Sequence, residues 1–322
     1  MSPQNRCGSQ RYKQTPVDEF ELIRRFFDRP VTAPGVVTGI GDDGTVLAPT
    51  PGRDQVQVID TLVEGVHFPA GTSAADIGYR VVAVNLSDIA AMGANPRWMT
   101  LALTLSQADE RWVADFADGL FEAAKEFDVA LVGGDMTRGD KVVATVHITA
   151  DVEAGKALLR SQAKVGDTVF VTGTLGDAAA GLALLNRGEF DALLVGRFLR
   201  PHARVEIGRR LVGLASAAID ISDGLVGDLT KLLSASGVGG ELDIERLPMS
   251  DAIKARFDKA DRMRLALTGG DDYELCFTAQ PDAVNGIDDV TAIGRIIDGV
   301  GLTCRNDGVV VEYDDSGYRH FL

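Results

Sequence analysis

The chain has 322 residues, and none of its apolar runs approaches the ~20 residues that a membrane-spanning helix needs. Its N-terminal stretch, MSPQNRCGSQRYKQTP, holds three basic residues with no apolar segment behind them. We therefore expect neither a signal peptide nor a membrane anchor. Residues 1–16 are expected to form a disordered tail.

Cysteine and basic charge are both scarce. Cys7, Cys276 and Cys304 have no metal-binding or redox spacing, and their odd number, with the missing leader, indicates a reducing, cytoplasmic environment. The 32 Lys and Arg residues are outnumbered by 47 Asp and Glu residues, which gives a net charge of −15. This balance argues against nucleic acid and anionic membranes as partners, because both need a basic face.

The phosphate-binding loop of many nucleotide-binding proteins is also missing. No G-x-x-x-x-G-K-[ST] pattern occurs, and Lys156 has neither the spacing nor the following hydroxyl group. The stretch GTLGDAAAG (173–181) could hold a phosphate at a helix N-terminus, although such turns are also common for packing reasons. If ATP binds, metal ions must therefore supply most of the charge compensation that a loop lysine supplies elsewhere.

What is present is a globular chain with two domain-sized halves. Hydrophobic residues make up 45% of the sequence and charged residues 25%, which is the balance of a folded protein. The length suffices for two separate cores. Strand and helix patterns mix in both halves, so the sequence predicts two α/β-type domains, residues 17–150 and 151–322, with a boundary near residue 150.

The spacing of apolar residues predicts the individual elements. Ser106 and Asp109 have capping-box spacing ahead of one predicted helix. Helices are expected at 18–28, 79–96, 177–188, 205–214 and 225–234. Strands are expected at 55–60, 98–105, 129–132, 141–150, 168–173, 217–221, 265–268, 274–279, 291–297 and 309–313. The inward face of the first helix is expected to consist of Phe20, Ile23, Phe26 and Phe27.

The segment YRVVAVNLSDIAAMGANP (79–96) is the stretch around which the chain is organised. Its apolar residues leave almost no polar face, so it is predicted to be a buried helix. Asn85 and Asp88 lie three positions apart and therefore on one side of it. An ionised carboxylate in such surroundings is costly unless a positive group meets it. For an isolated Asp, capping of a neighbouring loop would be the simpler interpretation.

The other acidic residues favour a functional interpretation, because they recur where apolar runs end. Five endings carry them, GIGDD, QVID, VGGD, AIDISD and TGGDD, and Asp88 adds a sixth place. At ~4 Å and an effective dielectric constant of ~20, two such charges repel by about 4 kcal/mol, so convergence requires cations. The ligands would all be oxygens, which selects Mg²⁺, Mn²⁺ or Ca²⁺ over zinc. Alternatively the acids are spread apart, since Asp-Gly pairs are also common turn residues.

These motifs together resemble those of a known family. GIGDD, DTLVEGVHF (60–68), VNLSDIAAMGANP, VGGDMTRG, VTGTLGD, IDISDGL and TGGDDYELCF are similar, in this order, to thiamine-monophosphate kinases. The resemblance implies a mixed α/β (α+β), two-domain fold like that of aminoimidazole ribonucleotide synthetase, with a C-terminal α/β sandwich. It implies a homodimer in which the N-terminal domains pair their sheets. It also implies ATP-dependent conversion of thiamine monophosphate to thiamine diphosphate with several Mg²⁺ ions.

The resemblance also assigns roles to the residues that match the family motifs. The implied metal ligands, of which the first four would act in catalysis through the metal, are Asp43, Asp60, Asp88, Asp135, Asp220 and Asp223. The implied ATP contacts are Gly134, Asp135, Arg160 and Ser222. The implied substrate contacts are His67, Asp271 and Asp315.

Three places depart from the family pattern. Asp271 stands where most members have the longer Glu, and Val58 and Ile59 replace two hydroxyl residues. Asp315 lies near the place of a Trp that would stack on the substrate. The residues that would have to stand in for that Trp are Tyr313, Tyr318 and Phe321.

The expected reaction is direct in-line transfer of the γ-phosphoryl group of ATP to the phosphate of thiamine monophosphate. That acceptor is already anionic near neutral pH, so no strong general base is required. Metal ions would offset the repulsion between two polyanions. His67 could equally be a structural histidine, which is the interpretation given to His147. Two alternatives are a superfamily enzyme with a different acceptor and a non-catalytic nucleotide- or cation-binding relative.

Overall fold

The computed structural model describes residues 18–29 and 33–311. The predicted tail of residues 1–16 and the predicted substrate residue Asp315 lie outside the described residues, as do the aromatic candidates beyond position 311. Within the described ranges, no helix is both long enough and apolar enough to cross a membrane.

Both halves of the chain mix strands and helices, which confirms the predicted fold class. The strands are β1 (Val36–Thr38), β2 (Val46–Leu47), β3 (Arg53–Val63), β4 (Asn95–Leu105), β5 (Ala130–Arg138), β6 (Val143–Glu153), β7 (Thr168–Thr172), β8 (Ala215–Ile221), β9 (Gly239–Asp243), β10 (Glu274–Ala279), β11 (Val290–Ile297), β12 (Gly301–Asn306) and β13 (Val309–Val311). The helices are α1 (Glu19–Leu22), α2 (Ala74–Ala91), α3 (Glu110–Glu126), α4 (Asp177–Asn186), α5 (Ala192–Leu199), α6 (Val205–Leu211), α7 (Leu225–Ser236), α8 (Asp251–Arg256) and α9 (Lys259–Thr268). A π-helical turn (Ile23–Phe27) extends α1, and a 3-10 turn (Ile244–Arg246) follows β9.

The N-terminal half contains a four-stranded sheet with the order β3–β6–β4–β5. Strand β6 pairs antiparallel with both neighbours, whereas β4 and β5 pair in parallel. Alternating residues give the sheet one buried face; on β6 this face carries Ala144, Val146 and Ile148. Helices α2 and α3 pack on that face in one continuous core. The two-stranded β1–β2 sheet precedes this unit.

The C-terminal half is built on a seven-stranded sheet with the order β13–β12–β9–β11–β7–β10–β8. All pairs are antiparallel except β12 with β9. One face packs against α7 and α9. The other face of its central strands joins the core of the N-terminal half, through the stacked rings of Phe170 and Phe277 among others. The sheet is therefore covered by helices from both halves.

Helix α2 lies at the centre of this arrangement and is buried along most of its length, as predicted. The Ser73 hydroxyl caps its start by accepting the N–H of Asp76 at 3.1 Å. The predicted end at residue 96 is wrong. Gly93 adopts a left-handed φ of 65°, and the N–H of Ala94 donates back to the carbonyl oxygen of Ile89 at 3.1 Å, which ends the helix at Ala91. Residues 95 and 96 already belong to β4.

The first helix and the capping of α3 also differ from prediction. Phe20 is 74% exposed, because α1 is a single short turn and Leu22 takes the inward position. The N-cap of α3 is Asp109, whose carboxylate accepts the N–H groups of Arg111 and Trp112. The capping box predicted for Ser106 and Asp109 is therefore absent from this helix start.

Two of the acidic motifs occupy other elements than predicted. Gly133, Gly134 and Asp135 lie within β5 and not beyond its end. The motif TGGDD follows helix α9, because residues 265–268 are the last turn of that helix and not a strand. Strand β6 runs past the predicted boundary at 150, to Glu153.

Glycine lets α2 and α3 pack with their backbones in contact. An ideal Cβ on Gly78 would lie 2.1 Å from the carbonyl oxygen of Phe116. One on Gly119 would lie 1.8 Å from the carbonyl oxygen of Ala75. Both contacts involve backbone atoms, so the helices themselves would have to separate to admit a methyl group.

We expect Gly119→Ala to destabilise the protein by about 1–3 kcal/mol, because the added methyl group forces α3 away from α2. The matched control is Gly196→Ala within α5, where an added Cβ meets nothing within 4 Å. This control should be neutral or stabilising by up to about 1 kcal/mol, because alanine favours helix. Urea unfolding of the two variants measures the difference, and similar midpoints would contradict the close packing.

Candidate active site

A cavity of about 980 Å³ opens between the two halves of the chain. Its walls come from the end of β3 and the turn after it, from α2, α4 and α7, and from the segments around residues 160, 222 and 271. Its volume suits small organic molecules. The cavity brings together these predicted site residues: Asp60, His67, Asp88, Arg160, Asp220, Ser222, Asp223 and Asp271.

Three of the carboxylates reach the cavity from different elements. Asp60 pairs across β3 and β6 with Val146, which is buried, so it lies on the buried face of the sheet. Asp88 lies in the last turn of α2. Asp220 lies in β8, and its Oδ2 accepts the hydroxyl of Ser87 at 2.8 Å. That hydrogen bond ties α2 to the C-terminal sheet at the cavity wall.

The crowding of these acids changes their acidity. Burial raises the pKa of Asp60 to about 6, and the carboxylate of Asp220 adds to the effect. Burial raises the pKa of Asp88 to about 6, with a further contribution from Asp60 that Arg160 opposes. Burial, followed by the charge of Asp88, raises the pKa of Asp220 to about 7. The site therefore favours either bound protons or nearby cations over three bare carboxylates.

A second group of polar residues holds the Ser222–Asp223 segment. Asp228 Oδ2 accepts the backbone N–H groups of Ser222 at 3.0 Å and of Asp223 at 2.9 Å. Lys231 Nζ lies 2.6 Å from Asp223 Oδ2 and 2.8 Å from Asp228 Oδ1. Asp228 and Lys231 were missed by the sequence reasoning, and the available signal was their three-residue spacing on one face of α7.

His67 lies in the turn after β3. Its Nδ1 accepts the backbone N–H of Val63 at 3.0 Å. In the neutral imidazole the proton therefore resides on Nε2, which makes that nitrogen a hydrogen-bond donor. Arg160 is an exposed residue of the cavity wall, and the hydroxyl of Ser236 donates to its carbonyl oxygen at 2.7 Å.

Asp43, Gly134 and Asp135 lie apart from this cavity. Asp135 pairs with Ala102 of β4, whose side chain lies on the exposed face of the sheet, opposite to the face that carries Asp60. Asp43 is exposed in the loop before β2. Within one chain, the structure therefore groups four of the predicted ligands and separates Asp43 and Asp135 from them.

Gly134 has a packing reason of its own. An ideal Cβ there would lie 2.1 Å from the carbonyl oxygen of Leu101 in the neighbouring strand. The loop of Asp43 is nevertheless tied to the same region, since the hydroxyl of Thr45 donates to the carbonyl oxygen of Val132 at 2.6 Å.

The helix N-terminus in GTLGDAAAG is occupied by a side chain of the protein. Asp272 Oδ2 accepts the N–H of Gly176 at 2.7 Å, and its Oδ1 lies 3.4 Å from the N–H nitrogen of Ala178. Burial raises the pKa of Asp272 well above its usual range, while these bonds oppose the shift. The suggestion that this helix start holds a phosphate is therefore wrong for the structure described, and Asp272 is a capping residue.

A divalent cation would have to share its ligands with something else. In the described part of the chain, no three His, Cys, Asp or Glu side chains are close enough to hold a metal ion by themselves. Mg²⁺ is commonly bound by one or two carboxylates together with substrate phosphates and water. The all-oxygen donors of the cavity fit that mode and fit Mg²⁺ better than zinc.

Comparison with known proteins places this chain in a class. The family model for the N-terminal domain of AIR synthase related proteins matches residues 41–151. The model for their C-terminal domain matches residues 164–305. Two-domain proteins of the AIR synthase related type are thus the class to which the fold belongs.

Individual relatives narrow the class. Thiamine-monophosphate kinase of Salmonella typhimurium is 46% identical over 320 residues, covering 94% of this chain and 98% of the relative. The crystal structure of thiamine-monophosphate kinase from Stenotrophomonas maltophilia is 43% identical, with a TM-score of 0.80 and coverage of 91% and 96% of the two chains. AaThiL complexed with AMPPCP and TMP is 35% identical, with a TM-score of 0.79 and coverage of 85% and 89%. The chain belongs to the thiamine-monophosphate kinase family.

The crowded carboxylates predict how stability depends on pH in the absence of divalent cations. Because the folded-state pKa values of Asp60, Asp88 and Asp220 lie above the ordinary 3.8, their stabilising contribution is complete below about pH 4. It is lost as the pH rises through about 6 to 7. We expect the melting temperature in chelator to be about 2–6 °C lower at pH 8 than at pH 5.5.

Asp220→Asn should reduce this pH dependence, whereas Asp115→Asn on the exposed face of α3 should not. Addition of Mg²⁺ at pH 8 should raise the melting temperature of the wild type, because a ligand of the native state stabilises it. Calorimetry of the three proteins at both pH values makes the comparison. A pH dependence that is equal in all three would contradict the grouping of these acids.

Proposed function

We propose that the chain transfers the γ-phosphoryl group of ATP to thiamine monophosphate and so forms thiamine diphosphate. The observation that carries this proposal is the cavity between the two halves, which gathers Asp60, Asp88, Asp220 and Asp223 beside Arg160. Membership of the kinase family supports it. AaThiL, a structural relative, is complexed with AMPPCP and TMP, a nucleotide and an acceptor of these two kinds.

Mg²⁺ is the cation that fits the acid group of the cavity. One or two of the carboxylates of Asp60, Asp88, Asp220 and Asp223 would hold each ion together with phosphate oxygens, because no described set of protein ligands suffices alone. When bound, the ion would supply neutralisation of the negative charge on the transferring phosphoryl group. The raised pKa values of Asp60, Asp88 and Asp220 support this assignment, since they mark charges that lack a counterion.

The residues of the chain would then bind and orient the two substrates. Arg160 is suited to a phosphate of ATP, because a guanidinium group can form two parallel hydrogen bonds to phosphate oxygens. His67, which also lines the cavity, would lie near the acceptor phosphate. The acceptor oxygen is ionised near neutral pH, so the reaction needs alignment and charge compensation more than it needs a base.

A homodimer would explain why Asp43 and Asp135 lie away from the cavity. Asp135 belongs to the exposed face of the four-stranded sheet, and Ile59 on that face is 65% exposed. We take this exposed sheet face, with its apolar Ile59, as the surface that pairs with a second copy of the chain. We propose that Asp43, Gly134 and Asp135 contribute to nucleotide and metal binding in such a dimer.

A cytoplasmic location completes the proposal. Cys276 and Cys304 are free and buried, so the described chain carries no disulfide that would need an oxidising compartment.

Asp88→Asn tests the role of the acid group in catalysis. We expect the turnover number to fall by about two orders of magnitude or more, because the cation that would neutralise the transferring phosphoryl group loses a ligand. Without divalent cations the variant should be as stable as the wild type or more so, since the change removes a repelling charge. Chromatography follows the formation of thiamine diphosphate and measures the turnover number. Calorimetry measures the stability of the variant. Unchanged turnover would contradict the proposal, and the exposed Asp115→Asn serves as control.

Arg160→Ala tests which substrate this residue contacts. The KM for ATP should rise by about tenfold, while that for thiamine monophosphate should change little, because one charged phosphate contact is worth about 1.5–3 kcal/mol. Steady-state kinetics with each substrate varied in turn provide the measurement. Arg111→Ala, at an exposed position of α3, should alter neither constant. Equal effects on both substrates would show that Arg160 acts elsewhere.

A further inference from the structure

Arg80 is a charged residue in the interior of the protein. It lies in the second turn of α2 with 1% of its surface exposed. Its Nη1 donates to the carbonyl oxygen of Phe198, and its guanidinium carbon lies 4.4 Å from the centroid of the Phe198 ring. Its Nη2 donates to the carboxylate of Asp271. A charge buried this deeply is costly unless it is paired, so the partner must be held in place.

Asp271 connects this buried cation to the cavity, because it accepts a hydrogen bond from Arg80 and lines the cavity wall. Its Oδ1 accepts both the Nη2 of Arg80 and the hydroxyl of Tyr273, the latter at 3.1 Å. Its backbone has a left-handed φ of 71°, and its N–H donates to the carbonyl oxygen of Ser222 at 2.9 Å. A residue with a side chain keeps this conformation only where its surroundings fix it. Arg80 and Tyr273 thus set the direction of the carboxylate.

The same helix carries Arg80 and the predicted metal ligand Asp88. Their separation of eight residues corresponds to about 12 Å along the helix axis. Both Asp88 and Asp271 line the cavity. A rigid, buried helix therefore fixes the distance between Asp88 and the carboxylate of Asp271 that Arg80 holds.

We propose that Arg80 is a positioning residue for the acceptor substrate and acts through Asp271. The inference rests on the proposed function, and it takes Asp271, which lines the cavity, as a contact of thiamine monophosphate. The thiazolium ring of that substrate carries a fixed positive charge, which a carboxylate in the cavity wall attracts. The long Arg80 side chain and the short Asp271 side chain form a matched pair, so their combined reach decides where the carboxylate stands.

Arg80→Lys keeps the positive charge but shortens the reach and removes the planar pair of donors. We expect the KM for thiamine monophosphate to rise by about tenfold and that for ATP to stay within about twofold. In the double variant Arg80→Lys/Asp271→Glu, the longer Glu side chain makes up for the shorter Lys side chain. It should recover most of the affinity for the acceptor, whereas Asp271→Glu alone should not match the wild type.

Tyr273→Phe provides a variant that leaves the buried charge intact. It removes the hydroxyl that donates to Asp271 and should raise only the KM for the acceptor, by about threefold to tenfold. If Arg80→Lys fails to fold, Tyr273→Phe still tests whether the orientation of Asp271 governs the affinity for the acceptor. The matched control is Arg204→Lys, which alters another buried ion pair, with Glu274 at 2.6 Å and 2.7 Å, away from the cavity. It should lower the melting temperature and leave both KM values unchanged.

The outcomes separate the inference from the function on which it rests. A wild type that forms no thiamine diphosphate overturns both. An active wild type, with Arg80→Lys and Tyr273→Phe affecting both substrates equally or neither, overturns the role of Arg80 alone. Failure of the double variant to improve on Arg80→Lys also overturns it, because a purely structural Arg80 would give no recovery of acceptor affinity.

Discussion

Repulsion between carboxylates that share one buried space is the constraint on which the site depends. Asp60, Asp88 and Asp220 come from distant parts of the chain, and each is close enough to others to raise a neighbour's pKa. Burial of α2 between the two sheets supplies the opposing free energy, at about 25 cal/mol for each Å² of apolar surface removed from water. Packing therefore maintains an arrangement of charge that would separate if the chain were free to relax it.

The chain contains part of the compensation within itself. Lys231 bridges Asp223 and Asp228, and the hydroxyl of Ser87 satisfies one oxygen of Asp220. Asp272 shows the contrast, because its carboxylate meets the N–H groups that begin α4. Aspartates thus serve either as structural caps or as acids of the cavity, and their hydrogen-bond partners decide between the two roles.

Several of the site residues could be predicted because burial makes a carboxylate conspicuous: Asp88 interrupts an apolar helix, and Asp60 and Asp220 lie in apolar strands. The position of Asp135 could not, since an irregularity in the pairing of β4 with β5 between Met99 and Thr100 sets which face it occupies. The run 265–268 is too short to distinguish the last turn of α9 from a strand. The partnership of Arg80 with Asp271 joins residues 191 positions apart, which no local pattern reveals.

Because α2 packs against both halves of the chain, neither half can be separated from the other without exposing part of this helix. Near the end of α2, an ideal Cβ on Gly208 of α6 would lie 2.1 Å from the carbonyl oxygen of Ala90, and α2 also contacts β8 and β10. A fragment ending near residue 150 would leave that apolar surface open to water and would tend to aggregate. Two family models match the chain in sequence, yet its halves share one hydrophobic core, and exchange of a half between relatives would have to preserve the surface of a single helix.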